Sequence, residues 1–189
     1  MENGGSFLGT LLLMGLLVLG FRLYIRRPRG VGQDDPPGVR TVAAFFGSDP
    51  EYLADDDPER PFVGIRLFSL LLDGLKSAGI DVSNRGPVEF AQGAQLALDG
   101  QRLAIVLEWI DPRWAISVEW TPGSAAERRH VLWTHKVYAP ADTPALRRVL
   151  TAIDGWLRAQ PNIRGIGWHR KERWMREDPT DPAEKPFEA

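Results

Sequence analysis

Between Val88 and Trp120 apolar side chains recur at alternate positions, and two short breaks, Asp99-Gly100 and Asp111-Pro112, divide the run. A period of two is the pattern of a strand with one buried face. Asp-Gly is a strong hairpin signal because glycine tolerates a positive φ. A two-residue turn at 99–100 pairs Leu98 with Gln101, Leu96 with Leu103, Ala94 with Ile105 and Phe90 with Trp109. A four-residue loop from Ile110 to Arg113 then pairs Trp109 with Trp114, Leu107 with Ile116, Ile105 with Val118 and Leu103 with Trp120. Both alignments put these paired apolar sets on one face, whereas a slip of one residue would turn a whole set to water. Trp109, as a buried aromatic, is expected to cost about 3–5 kcal/mol when cut to alanine.

The flanking segments add helices. Pro61 to Ala78 reads as a helix, with Pro61 at a first helical position and Gly79 as the stop. Its polar residues at 66, 69, 73, 76 and 77 form one narrow stripe, so the apolar arc is wide enough for a second helix as well as a sheet. Thr143-Pro144 caps and opens another helix, and its stripe is Leu146, Val149, Leu150, Ile153 and Leu157. Val131 to Tyr138 reads as a fourth strand and Ile163 to Trp168 as the last. The fold class is α+β: a two-layer α/β sandwich with a mainly antiparallel sheet, order α-β-β-β-β-α-β, and both helices on the tryptophan-rich face.

The N-terminus is of another kind. Phe7 to Phe21 holds no charge, and Arg22, Arg26, Arg27 and Arg29 follow. Phe7 to Ile25, through Leu11, Leu16 and Phe21, spans roughly 28 Å as a helix, close to a hydrocarbon core of about 30 Å. A cleaved signal peptide would carry basic residues before the apolar run and small residues at its end. This chain has neither, so an uncleaved single-pass anchor is expected. Arginine follows the span and no Lys or Arg precedes it, which places the N-terminus outside and the rest in the cytoplasm, at an inner membrane. Gly5 and Gly9 have the spacing of a helix-dimer motif at the membrane edge; the ordinary glycine content of a membrane helix explains them more simply than a homodimer does.

The chain then divides into an anchor at 1–27, a Pro- and Gly-rich tether at 28–40, a soluble domain at 41–176 and an acidic, Pro-rich tail at 177–189. The absence of cysteine excludes disulfides, thiolate metal sites and a cysteine nucleophile. A net charge of −2 gives no support to general nucleic-acid binding. Nineteen arginines to four lysines suit a GC-rich bacterial genome.

No catalytic signature stands out, and no cofactor is expected. Motifs for a P-loop, a nucleophile elbow, a dinucleotide fold and a zincin are absent. His130, His135 and His169 lack ligand spacing. Asp55, Asp56 and Asp57 are followed by Pro58 where a calcium loop needs a spaced series of oxygens around a glycine, so they read as a solvated loop. Two surfaces remain. The non-core sheet face carries Arg102, Ala104, Glu108, Ala115, Ser117 and Glu119, where small residues would let a partner's backbone come close. A basic and aromatic segment (Arg170, Lys171, Arg173, Trp174) joins Arg26, Arg27 and Arg29 as candidates for facing lipid. The expected function is a non-enzymatic protein-binding domain tethered at the membrane, a design that serves toxin neutralisation or assembly of an envelope complex. The alternative is an enzyme acting on a lipid or small molecule, which would need a pocket of convergent polar groups.

Overall fold

The computed structural model describes residues 32–53, 63–88, 91–136, 138–174 and 182–188, together with Met14. The elements run β1 (Val42–Gly47), a 3-10 turn (Pro50–Tyr52), α1 (Ile65–Ser77), β2 (Asp81–Val88), β3 (Ala91–Leu98), β4 (Gln101–Ile110), β5 (Arg113–Trp120), α2 (Ala125–Thr134), α3 (Pro144–Ala159), β6 (Ile163–His169) and the one-turn α4 (Lys171–Trp174). Pro122–Lys136, which holds α2, does not belong to the compact unit made by Gly30–Thr121 and Val137–Ala189. Apart from Met14, the span from Phe7 to Ile25 lies outside the described residues, and among these no helix is long and apolar enough to cross a membrane.

Six strands form one antiparallel sheet in the order β2-β3-β4-β5-β1-β6. The central hairpins keep the expected register: Leu96 faces Leu103, Ala94 faces Ile105, Trp109 faces Trp114 and Leu103 faces Trp120. Asp99 and Gly100 both take positive φ, 50° and 77°, as a tight primed turn requires. The second turn is shorter than expected, because Ile110 and Arg113 are themselves paired. Phe90 lies outside the described residues. Val88 does not open the first strand of this run; it closes β2 and pairs with Ala91.

The core joins one sheet face to two helices. Leu67, Phe68, Leu71, Leu72 and Leu75 of α1 and Leu146, Val149, Leu150, Ile153 and Leu157 of α3 share a cluster with Leu96, Leu103, Ile105, Leu107, Trp114, Ile116, Val118, Phe45 and Trp168. The wide apolar arc of α1 is thus used twice, against the sheet and against α3. At the helix crossing the Trp156 ring lies on Gly74, where any Cβ would overlap it. Thr143 caps α3 through its side chain, which accepts from the Leu146 N–H at 3.2 Å.

Two expectations are corrected and two strands are added. The segment from Val131 is not a fourth strand. Ser124 and Glu127 make a reciprocal capping box, and Ala125–Thr134 winds into α2. The additional strands are β1 and β2. β1 reads Val-Ala-Ala-Phe-Phe-Gly and its first four residues are all buried, so it has no alternation to reveal it. β2 is exposed along most of its length and carries a bulge between Ser83 and Gly86, as edge strands often do. α1 starts at Ile65 rather than Pro61, because Gly64 takes a left-handed φ of 87° and its place against Trp114 leaves no room for a Cβ.

Two further segments belong to the folded body. Within the expected tether, Asp35 and Val39 are buried, and Gly32 and Val39 bridge to Ala139 and Phe187. Within the expected tail, Ala183 exchanges two 2.8 Å backbone hydrogen bonds with Trp168, and Glu188 reaches Arg40 at 3.1 Å. Ala183 therefore covers the outer edge of β6 at Trp168, and residues 186–188 pair with residues 38–40.

Candidate functional site

The second sheet face carries most of the residues singled out above. Alternation puts Arg102, Ala104, Val106 and Glu108 of β4 on it, with Ala115, Ser117 and Glu119 of β5. Pairing of Val42 with Ser117, Ala44 with Ala115 and Val42 with His169 extends it across β1 to β6. Ala104 faces Glu119 and Glu108 faces Ala115, so the two glutamates stand at opposite ends of the patch, roughly 13 Å apart along the strands.

This face is not a bare floor. Val42, Ala44, Ala115 and His169 are all buried. The chain turns after β6 so that α4 brings Lys171 and Trp174 to it. A cavity of about 60 Å³ results, lined by Val42, Glu108, Ala115, Ser117, Glu119, Lys171 and Trp174. The structure thus joins the two sequence candidates, the sheet face and the basic aromatic segment, in one site.

Lys171 is the residue that defines it. Only 4 % exposed, it sets its ammonium 3.2 Å from a Glu119 carboxylate oxygen. A buried ammonium without such a counter-charge would be strongly disfavoured. The backbone of Lys171 is held as firmly. Asp35, 3 % exposed, accepts the Lys171 N–H and the Thr41 N–H at 2.9 Å each on one oxygen, and the Thr41 hydroxyl at 2.7 Å on the other. Burial pushes the Asp35 carboxyl above its ordinary pKa, against the pull of these donors. The Asp35 N–H donates to Glu172 at 3.0 Å, and Arg170 donates to the Asp35 carbonyl at 2.8 Å while pairing with Glu172. Burial opposes the Glu172 charge, but the Asp35 N–H, its own backbone N–H and Arg170 outweigh it and hold the carboxyl below its usual range.

His169 sits beside this clamp with its ring 5.1 Å from that of Trp174. Burial lowers its pKa, and the charges of Arg113 and Arg40 lower it further.

Several sequence candidates change role. Lys171 does not face lipid, because its charge is buried against Glu119. Trp174 lines the cavity, and Arg170 is committed to Glu172 and the Asp35 carbonyl; of that segment Arg173 is exposed. Arg26, Arg27 and Arg29, and Asp55 to Asp57, lie outside the described residues. Ala115 is too buried to receive a partner's backbone, whereas Arg102 is exposed and Ala104, Ser117, Glu108 and Glu119 are half-buried. His130 lies in α2, and His135, expected on a strand, caps the C-terminal end of that helix. Sequence reasoning missed Asp35, whose surroundings (Asp34-Asp35-Pro36-Pro37) carry only a turn signal, and the inward turn of Lys171, which has no local signal.

A second concavity, about 300 Å³ and open, lies on the helical side, lined by Ala78, Ile80, Arg147, Arg148, Thr151 and Ala152. Its arginines are engaged: Arg147 forks onto Asp142 at 2.7 Å through two nitrogens, and Arg148 meets Asp99 at 3.2 Å. Compared with protein-family models, curated proteins and solved structures, the chain matches none of them.

Proposed function

We propose that the chain is a single-pass membrane protein of the inner membrane whose cytoplasmic α+β domain binds a protein partner through the exposed end of the second sheet face. The uncharged run from Phe7 to Phe21, with arginines on one side of it, supports the anchor and its orientation. The single observation that carries the binding reading is the size of the cavity on that face. About 60 Å³ is far below the roughly 300–1,000 Å³ of small-molecule pockets, and its Lys171 is already neutralised by Glu119. Beside it, the exposed Arg102 and the small Ala104 present a charge and a low floor, which suit docking of another backbone. Tethering raises the local concentration of such a module at a membrane target, as toxin neutralisation or envelope assembly would use.

The enzymatic alternative has one observation in its favour, the convergence of Glu108, Glu119 and Lys171 on one cavity. It would act on a lipid or small molecule at the membrane.

Affinity capture of the full chain from native membranes tests the binding reading. The expected result is a reproducible partner, recovered by the unaltered chain and lost with Arg102→Glu or Ala104→Trp. Recovery indifferent to both changes would remove this face from the interaction. A partner retained by both variants, together with turnover abolished by Glu119→Gln, would favour the enzyme. Release of the chain into the soluble fraction on lysis would overturn the anchor, and silence of a cytoplasm-dependent reporter fused after Ala189 would reverse the sidedness.

A further inference from the structure

Residues 32–41 enter the folded body as a strap beside the sheet-face site. The Gly32 carbonyl accepts the Ala139 N–H at 2.8 Å, Val39 is buried, and the Thr41 carbonyl accepts the Val118 N–H at 3.0 Å. The strap therefore leads directly into β1 and is fixed to β5 at its end. Gly32 follows Ile25 by seven positions, and an extended chain covers at most about 3.6 Å per residue, roughly 25 Å in all. Among the described residues of the domain, the strap is the part nearest in sequence to the uncharged N-terminal run.

What the strap holds is α4. Asp35 accepts the Lys171 N–H and both Thr41 donors on one carboxylate, while its own N–H and carbonyl engage Glu172 and Arg170. Residues 170, 171 and 172 are thus each tied to a single residue of the strap. Toward the sheet, α4 rests on two side chains: Lys171 meets Glu119, and the Trp174 ring lies 5.1 Å from that of His169. One turn of helix is not stable by itself in water, so these ties set where α4 sits. A segment held by so few bonds can open without the rest of the domain.

We propose that α4 is a latch on the second sheet face, locked by Asp35, and that withdrawal of the strap frees Lys171 and extends the protein-docking surface from Arg102 and Ala104 to Ser117 and Glu119. A pull from the N-terminal side reaches Asp35 before it reaches any strand of the sheet, which gives the anchored segment a means of acting on this face. The extended docking surface rests on the binding reading above; the latch itself rests on the hydrogen bonds of Asp35.

The four lysines of the chain, Lys76, Lys136, Lys171 and Lys185, allow a direct test. The full chain in detergent micelles is treated with an amine-acetylating reagent, and mass spectrometry follows each lysine. In the unaltered chain the buried Lys171 is expected to react far more slowly than the exposed Lys76. Its rate should stay flat in urea below the unfolding transition, because opening a latch exposes little surface. Asp35→Asn is expected to speed acetylation of Lys171 roughly tenfold, as loss of hydrogen bonds to a charged group would, and to leave Lys76 unchanged. Thr41→Val removes only the hydroxyl donor, should speed Lys171 severalfold, and keeps the test open should Asp35→Asn not fold. An unaltered Lys171 rate in the folded variants would overturn the lock. A rate that climbs with urea alongside global unfolding would overturn the latch, since α4 would then open only with the whole domain. In affinity capture from native membranes, Asp35→Asn is expected to recover severalfold more partner than the unaltered chain. Equal recovery would confine the partner to Arg102 and Ala104 and overturn the extension. No recovery by either chain would overturn the binding reading, while the lysine rates still decide the latch.

Discussion

Trp109 and Trp114 face each other across the β4–β5 hairpin with ring centroids 4.9 Å apart, yet they are not equivalent. Trp114 is completely buried, under Gly64 and beside Gly47, while Trp109 is half-buried at the margin of the core. The large cost expected for Trp109 on sequence grounds therefore belongs to its partner. Trp114→Ala should cost about 3–5 kcal/mol, and Trp109→Ala clearly less, because less apolar surface leaves water at that position. Denaturant unfolding of the two variants checks the ranking; equal losses would mean that Trp109 carries more of the packing than its exposure allows. Alternation placed both rings on the correct face. It could not tell which of the pair lies beneath the helix layer.

At the scale of elements, the crossing of α1 and α3 turns on one atom. Gly74 has the Trp156 ring where a Cβ would go, whereas Gly155 of α3 has nothing within 4 Å. Gly74→Ala should destabilise by about 1–3 kcal/mol through overpacking. Gly155→Ala should stabilise by about 0.5–1 kcal/mol, since glycine in a helix carries extra backbone freedom when unfolded. Opposite shifts in the unfolding midpoint are the expected readout, and a loss at both positions would contradict the helix contact. Hairpins β3–β4 and β4–β5, the cap of α3 and its stripe were legible because each depends on neighbours in sequence. β1 was not, since a strand buried on both faces has no period to detect. α2 was missed too: its capping box, Ser124 with Glu127, lies in a stretch that was not read as helical.

For the whole molecule, the charges that join its distant segments make stability depend on pH. Burial of His169, and then the charges of Arg113 and Arg40, hold its folded pKa below the ordinary 6.5. The unfolded chain binds the extra proton first as pH falls. Its contribution is therefore full above about pH 6.5 and is lost as pH drops from there toward the folded value. Urea midpoints for the unaltered chain should fall between pH 7.5 and 5.5, and His169→Gln should flatten that slope. An unchanged slope would mean that the histidine is already solvated and chargeable in the folded protein. Asp35 has the opposite sign, because its raised pKa makes the folded state take up its proton earlier on acidification.

Local patterning alone determined the antiparallel core of three strands, its register, the two packing helices and the uncharged N-terminal run, because each is written within about thirty residues by period, turn chemistry or cap. The tertiary structure decided where the ends of the domain go. It inserted β1 between β5 and β6, drew residues 32–40 and 182–188 into the body, and turned Lys171 inward onto Glu119. Most of those outcomes depend on residues far apart in sequence, such as Lys171 with Glu119 and Arg40 with Glu188. A charge reads as solvated in sequence until its distant counter-charge is known, and burial of Lys171 is affordable only once Glu119 lies within 3.2 Å.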